Sequence, residues 1–188
     1  MKFRAHELLE SLTFAREGRT YRADIVIDDT QREPWNNDSG GKGLVTEWTT
    51  RVKKPGERVL CKDQHPSSCR FYDFAAAVKR AREQRWDTAP YGQGTLGQRA
   101  ERAAEQHFKR MRDWCRDEWC YVGVAVTLLT ADGEDSDEWE SLWGIESDSP
   151  DYHREVAGEL ADEIAYRLEK EAREAAFWAA RDLVTSPA

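Results

Sequence analysis

No apolar run in this sequence is long enough to cross a membrane. The longest, residues 122–129, is interrupted by Thr127 and has the length of a strand, whereas a spanning helix needs roughly 20 residues. The opening MKFRAHE lacks the apolar stretch of a secretory leader. The chain is therefore expected in the cytoplasm, with Cys61, Cys69, Cys115 and Cys120 as thiols. There is no C-x-x-C pair, no G-x-S-x-G elbow, and no Ser or Cys beside a recognisable base. These absences point away from a catalytic nucleophile. The expectation is a binder rather than an enzyme, with no cofactor and no metal.

Charge is what the sequence has in excess. Residues 132–163 carry thirteen carboxylates and one cation, Arg154, a formal −12 in a chain whose net charge is −8. Residues 51–116 hold sixteen Lys and Arg against eight Asp and Glu, a formal +8. Such a field attracts cationic surfaces at one end and polyanions at the other. Mean hydropathy is −0.83, which taken alone suggests disorder. Eight Trp, six Tyr and six Phe argue for a folded domain instead, because large rings build a core from few residues.

Periodicity gives the elements. Residues 5–12 suit a short helix. Residues 19–28 alternate, with Tyr21, Ala23, Ile25 and Ile27 on one face, as a half-buried strand does. Residues 44–53 and 57–62 read as two more strands. Residues 71–86 have helical spacing, and Thr95 with Gln98 opens a second helix through a capping-box pattern. Residues 121–130 are the clearest strand, residues 132–137 a turn, and residues 139–145 a returning strand. Ser149-Pro150 starts a last helix that runs to about residue 184. The expected fold is α+β in the order β-β-β-α-α-β-β-α: an antiparallel sheet of about five strands, two central helices and a long C-terminal helix. One domain is expected over 1–188. At about 1.5 Å per residue, the last helix outruns a compact body, so 165–188 is expected to overhang and to pair with a second copy of the chain.

Two sets of residues are candidates for binding. The first is an acidic surface of Asp132, Glu134, Asp135, Asp137, Glu138, Glu140, Asp148, Asp151, Glu155 and Glu159. A rigid carboxylate array can occupy a groove built for phosphates, with Trp139, Trp143 and Tyr152 as apolar anchors. Its bland counterpart is a solvated hairpin followed by acids favoured at a helix start. The second set is basic: Arg82, Arg85, Arg99, Arg102, Lys109 and Arg112, facing nucleic acid. Glu83, Glu101 and Glu105 interleave with these, so pairing along the helix is the competing reading.

Weaker patterns resolve to structure. Gly92, Gly94 and Gly97 fit G-x-G-x-x-G, but a dinucleotide fingerprint follows a strand and here a helix and Pro90 precede. Asp132, Glu134, Asp135 and Asp137 supply hard oxygens without the order of an EF-hand loop. Cys61, His65 and Cys69 with Cys120 make a conceivable zinc set, although thiols packed near the core are simpler. His153 with Asp151 and Glu155 reads as helix capping.

Three stretches carry a likeness: RFYDFAAAVK from Arg70 through to Trp86, WCRDEWCYVGVAV from Trp114, and SLWGIES from Ser141. Over residues 20–165 the chain resembles small accessory proteins of tailed phages and prophages, a group with no established activity. The resemblance implies host-cell cytoplasm and a role that modulates host or phage machinery. The expected function is non-enzymatic binding of a basic surface on a nucleic-acid-handling complex, in an anti-defence or DNA-mimic role. Direct nucleic-acid binding and an enzyme with an unrecognised metal or anion site are the alternatives.

Overall fold

The computed structural model describes residues 7–37, 42–63, 68–86 and 93–185, with side chains through 181. The elements are β1 (Leu8–Arg16), β2 (Arg19–Ile27), α1 (Pro34–Asn37), β3 (Glu57–Lys62), β4 (Cys69–Asp73), α2 (Phe74–Gln84), α3 (Leu96–Trp114), β5 (Tyr121–Leu129), β6 (Asp135–Glu146) and α4 (Pro150–Thr185). The class is α+β, with a four-stranded antiparallel sheet in the order β1-β2-β5-β6 and a separate two-stranded sheet, β3-β4. The strands thus number six in two sheets among the described residues, not five in one. No described helix is long and apolar enough to cross a membrane.

The chain divides into two compact units. Unit 1 runs up to residue 29 and resumes at residue 120; unit 2 is residues 30–119. In unit 1 the β1-β2 hairpin turns on Glu17 and Gly18, with φ of 49° and 74°. Two successive left-handed residues make the type I′ turn whose twist suits a hairpin, and glycine meets the second at no steric cost. This turn organises 8–16 as a strand, where the sequence suggested a helix over 5–12. β2 and β5 pair in register from Tyr21↔Leu128 to Ile27↔Val122. Their inner-face residues Tyr21, Ala23, Ile25, Val122, Val124 and Val126 form one core with Val156, Ala157, Leu160, Ala161 and Ile164 of α4. β-Branched residues on a sheet and a helical stripe spaced by four give complementary ridges.

α4 starts as the sequence implies, with the Ser149 carbonyl accepting from the His153 N–H. The buried His153 ring meets the Glu146 carbonyl at 2.9 Å and ties the first helical turn to the end of β6. The apolar stripe continues in sequence to Ala175 and Ala179, but residues 169–181 are all exposed, Phe177 and Trp178 included.

Unit 2 has its own core of Trp35, Leu44, Leu60, Tyr72, Ala77, Ala104, Phe108 and Met111. α2 begins at Phe74 because Asp73 caps it, accepting from the Ala76 N–H. The expected start at Phe71 is corrected: Phe71 and Tyr72 belong to a strand. α3 opens with the anticipated reciprocal bonds of Thr95 and Gln98. Residues 44–53 form no strand, yet 44–49 runs beside β4. Leu44 O accepts from Asp73 N, Thr46 N donates to Phe71 O, and Thr49 exchanges both bonds with Cys69. Between the last two contacts this segment spends three residues against two on β4, so the ladder breaks into isolated bridges.

Candidate functional site

The irregular backbone on both sides of β4 builds a site around Arg70. On one side Arg70 pairs with Cys61 of β3, just after a bulge between Val59 and Cys61. On the other, the extra residue in 44–49 sets Glu47 and Trp48 opposite Arg70. Bulges re-aim side chains, and here they bring Cys61 and Trp48 to one recess of about 300 Å³. Glu33, Trp35, Lys62, Asp63, Trp114 and Cys115 complete its lining with Arg70. All belong to unit 2.

The Arg70 side chain is 9% exposed, with its Nη2 3.1 Å from Glu33 Oε1. The guanidinium carbon stands 5.0 Å from the Trp35 ring centroid and 4.9 Å from that of Trp48. Trp35 in turn meets Trp114 edge-on at 5.2 Å. Arg70 thus occupies an aromatic cage of its own. Its Nε is buried and has no hydrogen-bond partner among the described residues. Burial works to raise the Glu33 carboxyl, but its own backbone N–H and Arg70 outweigh that and hold it below the usual carboxylate range. The ion pair is therefore charged at neutral pH, and the guanidinium is held in place before any ligand arrives.

Two thiols share the recess. Interaction with Cys115 lowers the Cys61 thiol from its ordinary value against burial, with help from the nearby Arg70 charge. The same interaction, joined by burial, pushes Cys115 up. Cys61 is also the cross-strand partner of Arg70, which sets its sulfur beside the cation. All four cysteines are free. Of the conceivable zinc set, Cys61 lines the recess with Cys115, Cys69 donates to Thr49 O at 3.8 Å, Cys120 packs on the core of unit 1, and His65 lies outside the described residues. Among the described residues no group of three or more His, Cys, Asp and Glu could hold a metal.

The acidic candidates lie in unit 1 and divide among several places. Asp132 and Glu134 are exposed at the β5-β6 turn. Asp135, already in β6, takes the Arg22 guanidinium, with Nη2 at 3.0 Å. Arg22 also reaches Asp24, which accepts from Ser11. Glu138 and Glu140 bind Arg167 of α4, on the opposite side of the sheet from Arg22. Asp151 pairs with Arg154 at 2.5 Å. Asp137, Asp148, Glu155 and Glu159 are exposed. Glu163 joins the last two on the outer side of α4 at four-residue spacing, between the exposed rings of Tyr152 and Tyr166. β6 is an edge strand, and charges there also discourage pairing with other chains.

The basic candidates are likewise partly engaged. Arg82, Arg85 and Lys109 are exposed. Arg102 donates to Gln93 O, Arg112 lies 5.4 Å from the Phe108 ring, and the Nε atoms of Arg99 and Arg112 are buried without a partner among the described residues. Of the glycine motif, Gly92 lies outside the described residues, and the rest serves as the cap of α3.

The recess was missed by sequence reasoning. Its one available signal is the placement of five of the eight tryptophans within 30–119, in a region whose charge drew attention instead. No protein-family model, curated protein or solved structure matches this chain.

Proposed function

We propose that the protein acts by binding, and that the recess around Arg70 takes a small flat molecule bearing an oxyanion, a carboxylate or a phosphate. The observation that carries this reading is Arg70 itself: a largely buried cation within 5.0 Å of two indole rings, lining the wall of a recess. A planar guanidinium fixed in this way is suited to carboxylate and phosphate recognition. Trp48, 45% exposed, offers a face for the flat body. A cationic ligand is disfavoured because Arg70 already fills the cage.

Intrinsic fluorescence of the full chain tests this with benzoate and phenyl phosphate against neutral benzamide. The expected result is saturable quenching by the charged probes, at least tenfold tighter than by benzamide. Arg70→Lys, which keeps the charge and loses the fork, should weaken it about tenfold, or about 1.4 kcal/mol. Equal affinity for charged and neutral probes, or no response at millimolar probe, overturns the reading.

A second reading concerns unit 1, and it is the anti-defence role suggested by the phage-like resemblance. It is favoured by Glu155, Glu159 and Glu163, which stand without ion-pair partners among the described residues, beside Tyr152 and Tyr166. This strip would engage a basic surface of a nucleic-acid-handling complex. The chain should then displace duplex DNA from a basic DNA-binding domain at low salt. Reversing the three glutamates to lysine should weaken displacement at least tenfold. Undiminished displacement by the reversed variant sinks the idea, and direct DNA binding by the chain would favour the basic flank of α3 instead.

A further inference from the structure

We infer that Cys61 and Cys115 form a redox modification site, a dithiol that a hydroperoxide converts reversibly to a disulfide. The geometry carries it. Cys61 lies on β3 and Cys115 caps the C-terminus of α3. Both pack against the same buried cluster and line one open recess of about 300 Å³ beside Arg70, and the two thiols are close enough to perturb each other's ionisation. Neither Cys69 nor Cys120 has this arrangement, since one bonds a backbone carbonyl and the other packs against the core of unit 1. Two thiols alone do not make a zinc site, which takes four ligands. Two neighbouring thiols close a disulfide when the backbone brings their Cβ atoms to about 3.5–4.5 Å, and a crosslink map reads this directly.

The chemistry divides the roles. The Cys61 thiolate attacks the outer oxygen of the hydroperoxide. An S–O bond forms, the O–O bond breaks, and the departing alkoxide takes a proton from solvent to leave as an alcohol. The Cys115 sulfur then attacks the Cys61 sulfenic acid. The S–S bond forms, the S–O bond breaks, and the hydroxyl leaves as water with the Cys115 proton. Two thiols lose two electrons and one hydroperoxide gains them. Arg70 beside Cys61 favours the anionic sulfur at the start. This site stands whether or not the recess holds an oxyanion.

The test uses the full chain treated with a small excess of hydrogen peroxide. The expected result is loss of two hydrogens in intact mass and a fall in titratable thiols from the four free cysteines to two. Peptide mapping should give a Cys61–Cys115 crosslink, and dithiothreitol should reverse it. In Cys115→Ser, Cys61 should accumulate as a sulfenic acid trapped by dimedone. A crosslink involving Cys69 or Cys120, or four thiols retained under conditions that oxidise free glutathione, overturns the proposal. The wild-type map decides the question even where a cysteine variant fails to fold.

Discussion

Replacing Ile164 with alanine is expected to destabilise unit 1 by about 2–5 kcal/mol, in the upper half of that range. Ile164 is fully buried, at the centre of the stripe by which α4 meets β2 and β5. The cost of such a truncation depends on how far the surroundings collapse into the space left. Here they have little freedom. Five of the seven buried sheet residues of this cluster, Ile25, Val122, Val124, Val126 and Ile145, are β-branched and stiff at χ1 on paired strands, and α4 is continuous through the site. Urea unfolding should show a lower midpoint with an unchanged slope. Hydrogen exchange should accelerate in 121–129 and 150–168. The buried cluster of unit 2 shares no residue with that of unit 1, so exchange in 69–73 and 96–111 should change least. A loss under 1 kcal/mol would mean that α4 is held by something other than this stripe.

Arg70→Ala should cost about 2–3 kcal/mol: Arg70 is buried but the Glu33 side chain is 31% exposed, so the loss is one hydrogen bond between charged groups, about 1.5–3 kcal/mol, together with the packing of the Arg70 stem. It leaves Glu33 without its cation and Trp35 and Trp48 facing a void. The double variant Glu33→Gln with Arg70→Met should recover most of the loss, because an apolar side chain of similar length refills the cage and no charge is stranded. Oxyanion binding would stay absent in both. Recovery of stability without recovery of binding separates the structural work of Arg70 from its proposed role toward a ligand. If Arg70→Ala were as stable as the wild type, the cage would not be closed around Arg70 as described.

Much of the fold was legible from local chemistry. Proline and serine at the start of α4, Thr95 and Gln98 at the start of α3, and the alternation of β2 and β5 each act within a few residues. What was not legible depends on partners far away in sequence. The acids of 132–163 looked unpaired because the window contains one cation. Their partners are Arg22, Arg167 and Arg16, the last binding Asp162 from 146 residues away. Residues 8–16 lack a clean period and become a strand only because the Glu17-Gly18 turn lays them on β2. Residues 44–53 have strand composition, but one extra residue breaks their ladder with β4 and presents Trp48 instead. The recess depends on that irregularity and on the bulge before Cys61, neither of which leaves a pattern in composition.

One feature of the topology bears on how such a protein can change over time. β2 and β5 are direct neighbours, and Asp28 N still bonds Tyr121 O where the chain leaves one and enters the other. The whole of unit 2 is thus inserted at a point where a short hairpin loop would serve. A meander with such an opening behaves as a cassette holder: the inserted module can be lengthened, replaced or tuned while the register of the sheet is kept by its own strands. The ring-lined recess and the acid-bearing helix α4 thus belong to separate stretches of the chain, one interrupting the other between β2 and β5.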